Sequence, residues 1–218
     1  MEEPVRRLRI GATGAAIALL AACAAPELTV TRFDLGLAPA GAGADTNRYL
    51  ADAPVLAEFS APAWLDSTAI VYRLAYDDAS QLRSYAHSRW VAAPASLLAQ
   101  RLGERLPAAF RPGGVADEPK TPVARQLLRV ELEEFSQVFD TPQKSHALLR
   151  ARATLFDARG QRLVAQRIFE VQRPADSPDA LGAAHGLREA GNEFLADLVH
   201  WIDQAPRKAD EPSAGDAR

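Results

Sequence analysis

Apolar and polar positions alternate most clearly around Leu128, Val130 and Leu132, which interleave with Arg129, Glu131 and Glu133. A period of two puts each set on its own side of a β-strand, so one face is buried and the other wet. The same pattern predicts a second strand over Ala147–Phe156, with Leu149, Ala151, Ala153 and Leu155 opposed to Arg150, Arg152 and Thr154. The link Asp157-Ala158-Arg159-Gly160 has tight-turn chemistry and leads to a third strand over Arg162–Val171, which makes an antiparallel meander. Upstream, β-branched and aromatic residues predict shorter strands at Thr29–Leu35, Pro54–Phe59, Ala69–Leu74 and Leu82–Val91. The second and third of these, separated by the Pro62-bearing stretch 60–67, read as a hairpin-like pair, and the Ala-, Gly- and Pro-rich stretch 37–46 reads as a loop.

Helical spacing occurs twice. After Pro94, residues Leu98, Leu102, Leu106 and Phe110 recur every four positions, widened by Leu97 and Ala109, until Gly113-Gly114 and the run 117–120 break the pattern. Ser177-Pro178-Asp179 then reads as an N-cap, a proline at the first helical position and an acid in the first turn. The stripe that follows is Leu181, Ala184, Leu187, Phe194, Leu195, Leu198, Trp201 and Ile202. Gly182, Gly186 and Gly191 interrupt it, each at a cost of up to about 1 kcal/mol against alanine, and serve either close packing on a sheet or fraying. The expected fold is α+β: an antiparallel sheet covered on one face by two amphipathic helices, spanning residues 29–204, with 205–218 a disordered polar tail.

Composition narrows the chemistry. The 218 residues are 48% hydrophobic with a formal net charge of −3, enough apolar material for one domain and no basic field for nucleic acid. Four dispersed histidines and one cysteine offer no metal site, and no cofactor is expected. No nucleophile elbow, phosphate loop or dinucleotide fingerprint occurs, and Glu133-Glu134 fits a solvated strand edge better than a catalytic dyad. The expectation is a protein that is not an enzyme.

The only cysteine, Cys23, ends a distinctive leader. Arg6, Arg7 and Arg9 precede an uncharged, mostly apolar run from Ile10 to Ala22, the arrangement of a signal peptide and too short for the roughly 20 residues of a membrane span. Arg6-Arg7 lacks the flanks of a twin-arginine export signal. Leu20-Ala21-Ala22-Cys23 resembles the lipobox of bacterial lipoproteins, which implies cleavage after residue 22 and acylation of Cys23, with 23–28 as a lipidated tether. Ala24, in place of the aspartate that retains similar lipoproteins in the inner membrane, implies an outer-membrane anchor facing the periplasm.

Within the domain, Ala69-Ile70-Val71-Tyr72-Arg73-Leu74, the segment Leu82–Tyr85, Arg89-Trp90-Val91-Ala92-Ala93-Pro94 and the Leu-rich helix after it resemble the ABC-type transport auxiliary lipoproteins, the PqiC-like family. The resemblance implies a non-catalytic auxiliary subunit of an MCE-type lipid transport system. Its partners would be the periplasmic MCE protein with its inner-membrane permease and ATPase, and the membrane through the acyl chains; a homo-oligomer stays open. Tyr72, Arg73, Tyr85 and Trp90 are candidates either for the core or for a docking patch. A lipoprotein chaperone or plug for an outer-membrane assembly protein, as in lipopolysaccharide export, is the alternative. A lipid carrier fits less well, because alternating strands leave only one apolar layer for the helices to cover. Replacing the nucleophilic thiol, Cys23→Ser, is expected to leave a full-length precursor that takes up no radioactive palmitate; a serine variant that labels and matures would refute the lipobox reading.

Overall fold

The computed structural model describes residues 29–37, 55–105, 110–112, 126–157 and 161–205. The expected signal peptide, the tether with Cys23, most of the 37–46 loop, the turn residues 158–160 and the tail from 206 onward lie outside the described residues. Residues 31–218 form one unit, separate from residues 1–30.

Among the described residues, eight strands and two helices follow in the order β1 (Thr31–Phe33), β2 (Val55–Ser60), β3 (Ala69–Leu74), β4 (Asp78–Trp90), α1 (Pro94–Arg105), β5 (Phe110–Pro112), β6 (Gln126–Thr141), β7 (Lys144–Asp157), β8 (Leu163–Pro174) and α2 (Ala180–Gln204). All eight strands join one sheet, and the class is α+β. β6, β7 and β8 form the antiparallel meander. The sheet as a whole is mixed and not antiparallel, because β2 and β3 both run parallel to β6 and β1 runs parallel to β4.

The reason lies in how the chain leaves β2. This strand pairs with β6 from Gln126 to Glu131, and β3 takes over at Ser136 in the same direction. The two lie end to end along one edge of β6, so the expected hairpin is a single strand line broken by the excursion 61–68. Pro62 turns that excursion, its carbonyl accepting from Leu65 N at 2.8 Å and Asp66 N at 2.9 Å, and Leu65 is driven into the core at 1% exposure.

β6 carries a bulge between Leu132 and Glu134 that leaves Glu133 as the extra residue opposite β7. Before it the buried positions are Leu128, Val130 and Leu132; after it they are Phe135, Ser136, Gln137 and Phe139. The alternation changes phase there, and the strand runs nine residues beyond Leu132 as a result. Glu133-Glu134 therefore sits in the middle of the most central strand, not at an edge.

Both helices bury their stripes in a single cluster with the inward residues of β6, β7 and β8. Helix α1 ends at Arg105, two residues before Pro107, which lacks a backbone donor and biases its predecessor away from helix. The expected continuation to Phe110 gives way to β5. Asp179, not Ser177, caps α2: its carboxylate accepts from Gly182 N at 2.9 Å and from the Ser177 hydroxyl at 2.6 Å, and these two bonds hold it below the usual aspartate range. Pro178 precedes the cap, and Leu181 is 49% exposed rather than buried. Trp201 is half-buried, edge-on to Phe169 at 5.9 Å. Ala205 is buried against the helix end and does not belong to the tail.

The α2 glycines divide by what surrounds them. A Cβ on Gly182 would lie 2.0 Å from Ser177 O and 2.7 Å from Ser177 N; one on Gly186 would lie 2.9 Å from the Ala147 Cβ of β7. A Cβ on Gly191 would meet only the flexible Leu98 Cδ2, at 3.1 Å. Gly182→Ala is expected to cost about 2 to 4 kcal/mol and lower Tm by roughly 5 to 15 °C, while Gly191→Ala stays within about 1 kcal/mol of wild type, since helix propensity offsets the small contact. Thermal unfolding of the two variants checks this; equal midpoints would show that the backbone at Ser177 does not constrain α2.

Candidate functional site

The four candidate residues do not gather into one patch. Trp90 ends β4 with no exposed surface, its ring 5.6 Å from that of Phe135 in the core. Tyr72 and Tyr85 are half-buried on β3 and β4, their rings 4.8 Å apart, and Tyr72 also meets Phe139 edge-on at 5.8 Å. Arg73, one residue along β3, serves a separate cluster: its Nε and Nη2 donate to Glu134 Oε2 at 3.2 and 3.1 Å, its Nη1 to Ala79 O, and its guanidinium lies 5.5 Å from the Trp64 ring.

Tyr85 belongs to a polar knot that composition and spacing did not reveal. Its hydroxyl donates to Gln137 Oε1, and the fully buried Gln137 amide donates to Ser145 Oγ at 2.8 Å and Ser177 O at 3.1 Å. One glutamine thereby ties β4, β7 and the approach to α2 onto β6. Burial, reinforced by the neighbouring Tyr72 and Asp179, pushes the Tyr85 phenol well above its ordinary value, so it stays protonated as a donor.

A second group missed from sequence is the pair Arg101 and Arg105 on α1, buried at 4% and 7% exposure. Arg101 donates to Gly36 O, to Leu37 O at 3.3 Å and to Asn192 Oδ1, and its Nε lies 3.2 Å from Glu104 Oε2. It clasps the segment after β1 to both helices. Arg105 shares Asn192 Oδ1 at 3.2 Å, and its buried Nε has no hydrogen-bond partner among the described residues. Desolvation, with the nearby Arg101 charge, lowers the Arg105 pKa. The signal was present: both arginines fall on the Leu97-Leu98-Leu102 stripe, where apolar residues belong.

The outward face of the sheet is a charge ladder. The bulged Glu133 accepts from Arg150 Nε at 2.9 Å and from Arg152 Nη2 at 2.7 Å; Arg150 also reaches Glu170 at 3.3 Å, and Arg129 pairs with Glu58 at 3.1 Å. Partial burial works against ionisation of Glu133, but the bonds from Arg152 and Arg150 outweigh it and hold its carboxyl below the ordinary range. Exposed pairs of this kind stabilise by little, so they are better understood as a solvated polar face. Among the described residues no group of three His, Cys, Asp or Glu side chains could hold a metal, and no helix is long and apolar enough to cross a membrane.

Taken together, the fold is a mixed sheet carrying two helices, with Arg73, Tyr85, Arg101 and Gln137 engaged in internal bonds. The family model of the ABC-type transport auxiliary lipoprotein component matches residues 33–199, nearly the whole of this domain. The chain belongs to that family, whose members are auxiliary lipoproteins of transport systems. Among solved structures it is similar to protein XCC0632 from Xanthomonas campestris, a DUF330 protein, at 20% identity and a TM-score of 0.62, over 80% of this chain and 94% of that one. An uncharacterized protein is similar at 16% identity and a TM-score of 0.57, over 80% of this chain and 99% of that one. These likenesses concern the fold. No curated protein matches the chain in sequence.

Proposed function

We propose that this chain is the non-catalytic lipoprotein subunit of an MCE-type ABC lipid transport system, anchored through acylated Cys23 to the outer membrane and facing the periplasm. The observation that carries the reading is the family match, which begins at Phe33, ten residues after the lipobox cysteine, and ends within α2. The side chains support it. Tyr85, Gln137, Arg73 and Glu134 are committed to bonds within the domain, an arrangement that holds a surface in shape. Binding then rests on surface shape and on the charge ladder of β6, β7 and β8, where complementary charges set orientation and on-rate.

The test is association of the purified mature protein, in detergent, with the periplasmic part of the MCE protein from the same organism, read by pull-down and analytical ultracentrifugation. A complex at micromolar concentration or below is expected, with no hydrolytic activity. Absence of that complex together with tight binding to an outer-membrane assembly barrel would replace this reading with the chaperone or plug.

A further inference from the structure

Where β1 meets the end of β4 and the first turns of α2, the domain has an open cavity of about 220 Å³. Its wall carries three basic side chains, Arg32, His185 and Arg188, one carboxylate, Asp34, and the apolar Phe33 and Val91. Asp34 accepts from Gly36 N at 2.7 Å, and no other partner for it is found among the described residues. Among the described residues Arg188 bonds its neighbour Glu189, at 3.1 Å, and His185 Nδ1 lies 3.6 Å from Asp176. Arg32, exposed on the edge strand, forms no ion pair among the described residues.

The wall is held in place. Gly36 adopts φ +68, a left-handed conformation that suits glycine, and a Cβ there would press on Arg188 Cδ at 3.3 Å. Its carbonyl is held by Arg101, so the buried clasp on α1 fixes one side of the cavity. Leu37, next to Gly36 in the chain, is an exposed apolar residue, as is Val91 at the cavity itself. Basic side chains beside exposed apolar ones are the composition of a surface that meets lipid headgroups.

We infer that this cavity binds the zwitterionic headgroup of a phosphatidylethanolamine-type phospholipid, with the phosphate taken by Arg32 and Arg188, the ammonium by Asp34, and the glycerol end lying along Phe33 and Val91. A simple anion would gain the two guanidiniums but face the Asp34 carboxylate, whereas a ligand carrying both signs uses all three. Guanidinium to phosphate and ammonium to carboxylate are both charge-assisted pairings. The cavity is too small and too open to enclose acyl chains, so the ligand is the headgroup of a lipid that remains in its membrane.

Position makes weak binding sufficient. Arg32 lies nine residues after Cys23, a reach of at most about 30 Å, so a domain tethered at Cys23 meets headgroups at an effective concentration in the millimolar range. This second step rests on the proposed acylation; the chemistry of the cavity does not.

The test uses the mature chain through residue 218 without its acyl group, since acyl chains would themselves enter a bilayer. Its co-sedimentation is measured with vesicles of phosphatidylcholine alone, or mixed with phosphatidylethanolamine or with phosphatidylglycerol. Binding to the phosphatidylethanolamine vesicles is expected to exceed the other two by roughly fivefold, an Arg32→Ala, Arg188→Ala double variant with wild-type Tm is expected to lose the difference, and Asp34→Asn to lose the preference over phosphatidylglycerol. Soluble glycerophosphoethanolamine should displace the wild-type protein. Stronger binding to phosphatidylglycerol, equal displacement by inorganic phosphate, or an unchanged double variant would each overturn the proposal. Palmitate labelling tests the anchor separately, so failure of either reading is distinguishable from failure of the other.

Discussion

The pairing of β6 is the constraint on which the remaining architecture depends. Its 16 residues give one edge wholly to β7 and divide the other between β2 and β3, so six of the other seven strands connect to the sheet only through it or through a strand it holds. A flat strand of that length could not serve two parallel neighbours in succession while keeping its apolar side inward. The bulge at Glu133 resolves this by adding a residue where β2 ends and β3 has yet to begin, which bends the strand and shifts its phase. The residue it displaces outward is charged and finds Arg150 and Arg152 waiting on β7.

The layer above the sheet then has little freedom. Ala147, Ala151 and Ala153 on β7 share one buried cluster with Ala183, Ala184 and Ala190 on α2, and Gly186 lies directly against Ala147, so small residues on both elements allow the helix to approach closely. Larger side chains fill the flanks, with Phe169 and Phe194 edge-on at 5.4 Å. Buried polar groups fix what apolar packing leaves underdetermined. Gln137 locks the start of α2 to three strands, and Arg101 locks the segment after β1 to both helices. Each has several partners, as a buried polar group requires if it is not to oppose folding.

Much of this was legible from residue order. Alternation located β6 and β7, turn chemistry pointed on to β8, three- and four-residue spacing located both helices, and the Tyr-Arg strand followed by Trp90 and Pro94 pointed to the family whose model matches residues 33–199. What escaped has a common physical cause: it depends on pairing between segments distant in sequence. Parallel pairing of β2 and β3 with β6 leaves no local mark, because a strand with one wet face has the same alternation in either direction. The bulge appears in sequence as a break after Leu132, which reads as the strand's end. Pro107 did carry the information that α1 stops early, and the regular leucine spacing masked it. The cavity at Arg32, Asp34 and Arg188 joins residues more than 150 positions apart, and none of them belongs to a motif.

Hydrogen exchange on the mature protein tests most directly whether β6 is the strand that holds the rest. Backbone amides of residues 128–139 in β6 and 147–155 in β7, with those of α2 from 187 to 199, are expected to exchange slowest and only through global unfolding, while β1 and β5 open first. Exchange in the middle of β6 as fast as in β1 would contradict the account, because the sheet could then open at its centre without the whole domain unfolding.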